Sequence, residues 1–119
     1  MVSPKSKRLV VQISALAEAV DHLDEVLARY KRAIAGLAAH VEEGESVLEA
    51  FDGLDGVMLR QRELTESFDE FEGARHQVRL ALFSLAMAQG TSLSEVGRRL
   101  GISRQLASRL AAEADGTNP

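Results

Sequence analysis

The sequence predicts an all-α protein in two parts, a long coiled-coil-like helical unit followed by a compact set of short helices. Three observations carry this. Ala, Leu, Glu and Arg dominate the composition, and these residues, like the Gln that accompany them, lose little side-chain freedom in a helix. Proline occurs only at Pro4 and Pro119, so no helix interior between them is interrupted. Apolar residues recur at steps of three and four along most of the 119 residues rather than alternating, which is the helical period and not that of a strand. With four Phe, one Tyr and no Trp, the core must be built from aliphatic side chains, as packed helices allow.

The first part, residues 1–72, opens with an unbroken seven-residue repeat. Its a positions are Ile13, Val20, Leu27, Ile34 and Val41, and its d positions are Leu9, Leu16, Leu23, Tyr30 and Leu37. Branched residues at a with Leu at d favour a parallel two-stranded coiled coil, so Leu9, Ile13, Leu16, Val20, Leu23, Leu27, Tyr30, Ile34 and Leu37 are the candidate dimerisation residues. The flanking e and g sites hold Val10, Ala17, Ala19, Val26, Ala33 and Ala38, where a simple zipper carries charges. The apolar stripe is therefore wider than one seam, and a helix of roughly 50 Å at about 1.5 Å per residue needs more than one partner. Two arrangements stay open: pairing with a second copy, or folding back as an intramolecular hairpin. Glu42, Glu43, Gly44 and Glu45 end the repeat, and Ser46 with Glu49 has the spacing of a capping box that opens a short helix through Phe51. Gly53 and Gly56 punctuate the chain. Helical steps resume at Val57, Met58, Leu64, Phe68, Phe71, Val78, Leu82 and Leu85, giving a long helix from about Val57 to Met87 with Gly73 as the place for a bend.

The second part, residues 73–119, contains the informative stretch from Thr91 to Leu110. Ser92 with Glu95 forms a second capping box, so a helix starts at Leu93. Gly101 follows Leu100 where the helix must stop and turn, cheapest for a residue that tolerates positive φ, and Ser103 caps the next helix. Two short helices joined by a three-residue turn containing Gly make a wingless, trihelical helix-turn-helix together with the helix before them. Val96, Leu100, Ile102, Leu106 and Leu110 are its expected core, and Gly97 allows close approach of the two backbones. Ser103, Arg104, Gln105, Ser108, Arg109 and Ala112 remain on the outer face, with Arg98 and Arg99 ending the first helix.

From about Ala74 to Ala114 the chain resembles bacterial helix-turn-helix domains of the kind found in the promoter-reading part of sigma factors and in DNA invertases and resolvases. The resemblance implies that the second helix lies in the major groove, with Ser103, Arg104, Gln105 and Ser108 at base-contacting positions and Arg109 and Arg99 on phosphates. One departure stands out. The family usually has a small residue followed by a branched aliphatic in the middle of that helix, whereas this chain has Leu106 then Ala107, which leaves the rotational setting of the helix open.

Side-chain chemistry points the same way independently of the resemblance. Arg suits guanine O6 and N7, Gln suits adenine N6 and N7, and Ser suits phosphates or bases. Net charge is −4 but unevenly spread. Residues 1–40 carry six basic and four acidic side chains (+2), residues 41–72 two and eleven (−9), and residues 73–119 six and three (+3). Between Ala74 and Leu110, Arg75, Arg79, Arg98, Arg99, Arg104 and Arg109 face one acid, Glu95. That local excess matters more for a polyanion than the acidic total. Arg98, Arg99, Ser103, Arg104, Gln105, Ser108 and Arg109 are thus the candidate DNA-binding residues.

Other chemistries find no support in the sequence. With no cysteine there is no disulfide, thiolate metal site or Cys nucleophile. His22, His40 and His76 lack metal-ligand spacing, adjacent acids such as Glu42 and Glu43 or Asp69 and Glu70 point to different sides of a helix, and no phosphate loop or nucleophile elbow occurs. The basic start at Lys5, Lys7 and Arg8 is not read as a secretion signal, because Gln12 interrupts the apolar run that follows. No stretch approaches the roughly 20 apolar residues that span a bilayer. The expectation is a non-enzymatic, cytoplasmic, nucleoid-associated bacterial protein without cofactor, metal, membrane or small-molecule substrate. Its partners would be duplex DNA and a second copy of itself, as a dimeric transcriptional regulator. The competing expectation is a helical protein–protein interaction adaptor whose helix-turn-helix does not read DNA.

Overall fold

The computed structural model describes residues 2–52 and 57–117. Among them are five helices and no strand: α1 (Pro4–Glu42), α2 (Val47–Asp52), α3 (Val57–Ala88), α4 (Leu93–Leu100) and α5 (Arg104–Thr117). No helix among the described residues is long and apolar enough to cross a membrane. Gly53 and Gly56, read as punctuation, lie outside the described residues. The all-α expectation holds, and local signals explain where the helices begin and end. Ser46 Oγ accepts a hydrogen bond from the Glu49 N–H at 3.2 Å and Ser3 Oγ one from the Ser6 N–H at 3.1 Å, each satisfying one orphan donor of a first turn. α1 closes with Gly44 N–H on the Val41 carbonyl and Glu45 N–H on the His40 carbonyl, and α3 with the same pair of bonds at Gly90 and Thr91. α3 runs through Gly73 as helix.

Two compact units form: residues 18–72, and residues 1–17 together with 73–119. The sequence places residues 1–17 with the first part, whereas their contacts group them with the second. The physical reason is that the start of α1 lies beside the end of α3, where Ser3, Pro4 and Lys5 line a cavity together with Leu85, Ala88 and Gln89.

In the unit of residues 18–72, α1 and α3 run antiparallel. His22 Nδ1 is 2.9 Å from Glu70 and Arg29 Nε 3.5 Å from Glu63, so seven residues forward on one helix are seven back on the other. Arg60 also holds Glu63, through bonds of 2.8 and 2.9 Å; this hydrogen bonding and the charges of Arg60 and Arg29 lower the Glu63 carboxyl below its ordinary value. Solvent-screened pairs of this kind contribute little, and the hairpin is held mainly by what it buries. Those side chains are small: among the described residues, Ala19, Val26, Ala50 and Ser67 are its fully buried ones. Ala19 and Val26 are g positions of the repeat. The d residues Leu23, Tyr30 and Leu37 are half-buried, and the a residues Val20, Leu27, Ile34 and Val41 are 40–45% exposed. The chain's own partner helix thus sits on the d and g face, not on the a and d face that the large side chains suggest.

In the other unit the core is Leu80 and Phe83 of α3, Val96 of α4, and Ala107, Leu110, Ala111 and Ala114 of α5. Leu82, Ala86, Met87, Leu93, Ile102 and Leu106 pack around it. On the N-terminal stretch, Leu9 is half-buried and Ile13 exposed, and Leu16 is half-buried.

Candidate nucleic-acid interface

The α4–α5 turn follows from three residues. Ser92, extended at φ −71°, ψ 151°, accepts from the Glu95 N–H and caps α4. Gly101 takes φ 69°, ψ 28°, left-handed backbone that costs a side-chain-bearing residue about 1 kcal/mol or more. There the Gly101 N–H bonds the Arg98 carbonyl at 3.2 Å and the Ile102 N–H the Gly97 carbonyl at 3.1 Å, the Schellman pair that closes a helix. Ser103 Oγ then accepts from the Leu106 N–H at 3.1 Å, starting α5 two residues after α4 has turned.

Close approach fixes how α5 is rotated. A Cβ built on Gly97 would meet the Ala107 Cβ at 3.0 Å, so the two backbones touch through a glycine and an alanine. Ala107 is therefore the buried member of the Leu106–Ala107 pair, and Leu106 is half-buried at its side. With Ala107, Leu110, Ala111 and Ala114 inward, the helical period turns Ser103, Arg104, Gln105, Ser108, Arg109 and Ala112 outward, and all six are exposed. Leu100 corrects the expectation: it is 38% exposed. As the last residue of α4 it precedes the turn, and Ile102 beyond the turn makes the apolar contact with the core instead.

The electrostatics of α4 were legible only in part. Ser92 and Glu95 form half of a capping box, because the Glu95 carboxylate turns to Arg98 and to Arg99 Nε at 2.9 Å instead. Hydrogen bonding from Arg99, then the charge of Arg98, holds the Glu95 carboxyl below its ordinary value. Both guanidiniums remain largely exposed, at 74% and 80%. They are carried at the end of α4 with their charge partly balanced. Arg104 and Arg109 of α5 differ, having no acidic partner among the described residues.

A depressed Glu95 carboxyl contributes its ion pairs in full above the ordinary glutamate range, and loses them as pH falls through the lowered value. At neutral pH both arginines are therefore tethered. Glu95→Gln keeps the backbone cap, removes the tether, and is expected to steepen the salt dependence of duplex binding by a fraction of a unit, roughly half or less, for each released guanidinium, since both are already exposed and only partly balanced. Titration of both chains at several salt concentrations checks this. An unchanged slope would mean that Arg98 and Arg99 do not reach phosphates.

Histidine pairing escaped the sequence. His76 of α3 meets Glu113 near the end of α5, His22 meets Glu70, and His40 meets Glu45 at 2.9 Å. The first two partners are 37 and 48 residues away, beyond any local spacing rule. The His76–Glu113 pair ties α5 to α3 at the end far from Arg104. His40, Glu43 and Glu45 also bring ligand-type atoms within 4.8 Å of one another, a grouping that the search for regular ligand spacing passes over; the His40 ring nitrogen there is hydrogen-bonded to Glu45. No family model, curated protein or solved structure matches the chain.

Proposed function

We propose that this chain binds duplex DNA through α5, as a wingless helix-turn-helix, and works as a dimeric transcriptional regulator at the nucleoid. The observation that carries this reading is the outward face of α5. Arg104, Gln105, Ser108 and Arg109 project together from a helix whose rotation is fixed by Ala107 against Gly97, and its two arginines have no acidic partner among the described residues. A helix N-terminus bearing Arg and Gln suits base edges in a major groove. Arg98 and Arg99, at the end of the preceding helix, suit the flanking backbone. The acidic stretch of residues 41–72 belongs to the other part of the chain, and one of its acids, Glu63, is held by Arg29 and Arg60.

Titration of a mixed-sequence duplex at two salt concentrations tests the reading. Each neutralised phosphate contributes about 0.9 to the slope of log affinity against log salt. Four arginines per protomer, Arg98, Arg99, Arg104 and Arg109, therefore give a slope of roughly −3 to −4 for each protomer bound. Absence of binding at low salt would overturn the proposal in favour of an interaction adaptor.

A further inference from the structure

The hairpin of residues 18–72 leaves one face of α1 uncovered, and that face has a pattern of its own. Val20, Leu27, Ile34 and Val41 recur every seven residues and stay exposed. Between them, four residues after each of the first three, stand Asp24, Lys31 and Ala38, also exposed. The steps of four and three make a second seam, distinct from the d and g face taken by α3. Asp24 and Lys31 have no ion-pair partner within the chain among the described residues.

We infer that a second copy of this chain covers the seam, and that the two α1 helices cross it antiparallel about a two-fold axis near Leu27. The charges decide the direction. Asp24 and Lys31 lie equally far on either side of the midpoint between residues 27 and 28, so antiparallel pairing sets Asp24 beside the partner's Lys31 and, by symmetry, Lys31 beside the partner's Asp24. The same axis brings Val20 within one residue of level with the partner's Ile34 and packs Leu27 beside its own symmetry mate. Parallel pairing would instead place Asp24 against the partner's Asp24 and Lys31 against the partner's Lys31, a like-charge arrangement that opposes association. This inference rests on the dimeric part of the proposed function. It names a different face and the opposite direction from those the branched-a, Leu-d pattern suggests.

The test uses the full chain in two ways. In sedimentation, Asp24→Lys and Lys31→Asp each turn two attractive contacts into two repulsive ones, and each is expected to raise the dimer dissociation constant by about tenfold. The double exchange D24K/K31D restores the opposite-sign pairs and is expected to recover the original value. In cross-linking, the absence of cysteine from the sequence gives introduced thiols no background. A mixture of D24C and K31C chains is expected to form the mixed disulfide, and D24C alone is not. Self-linking of D24C with no mixed product, or single exchanges without effect on a dimeric chain, would overturn the antiparallel seam while leaving dimerisation in place. A monomeric chain at tens of micromolar would overturn both. DNA binding is read separately in the titration above, so its failure cannot be mistaken for failure of the seam.

Discussion

Phe83→Ala is expected to unfold most of what holds α4 and α5 in place. The ring is fully buried and belongs to the cluster formed with Leu80, Val96, Ala107, Leu110, Ala111 and Ala114. Four of those six companions are on α5 and three are alanines, which supply little area of their own, so the ring provides much of the shared surface. Truncating a buried Phe costs about 3–5 kcal/mol, through lost transfer energy plus the cavity left behind. Against a total stability of about 5–15 kcal/mol for a small domain this is a large fraction, equivalent to a fall in midpoint of roughly 15 °C or more. Amide exchange separates the units: protection should be lost in α4 and α5 and retained by the buried stretch of α1 around Val26. Phe68→Ala is the control, because Phe68 is 45% exposed and its loss should cost about 1 kcal/mol or less. Equal effects for the two variants would mean that Phe83 does not organise the core.

The helix ends were readable because capping acts over three or four residues. Ser46, Ser92 and Ser103 each accept the hydrogen bond their spacing implies, and Gly101 has the positive φ that a stop after Leu100 requires. The inward face of α1 was not readable by the same means. Large branched side chains at a and Leu at d suggest the a and d face, but α3 packs where α1 offers Ala19 and Val26, since small residues let two helix backbones approach. Sequence size patterns reveal which positions are apolar and leave open which of two adjacent apolar stripes meets which partner. Leu106–Ala107 is the same problem on a smaller scale. The larger residue looks like the core position, yet the glycine opposite, at Gly97, admits only Ala107. Glu95 was a different case: its attraction to Arg98 and Arg99 at i+3 and i+4 was available from spacing alone, but the capping-box pattern claimed the same side chain.

The proposed DNA contacts separate into two kinds, and the largest difference expected is between Gln105 and Arg99. Ser103 caps α5, so Arg104 and Gln105 occupy its first turn, and both are exposed. In a helix entering the major groove the first turn meets base edges. A Gln there pairs with one adenine through N6 and N7. Gln105→Ala is therefore expected to cost about 1–3 kcal/mol on the preferred duplex and little on a scrambled one, relaxing preference at one base pair. Arg99 ends α4 and is already hydrogen-bonded to Glu95. Arg99→Ala is expected to weaken preferred and scrambled duplexes alike, and to lower the salt slope by about one unit or somewhat less, since Glu95 balances part of the charge that is removed. Both variants are titrated against both duplexes at several salt concentrations, the preferred duplex having been chosen by selection from a random pool. Equal losses on the two duplexes for Gln105→Ala would show that it does not read bases. The sequence-reading role would then pass to Ser108 and Arg109, one turn further along the same exposed face of α5.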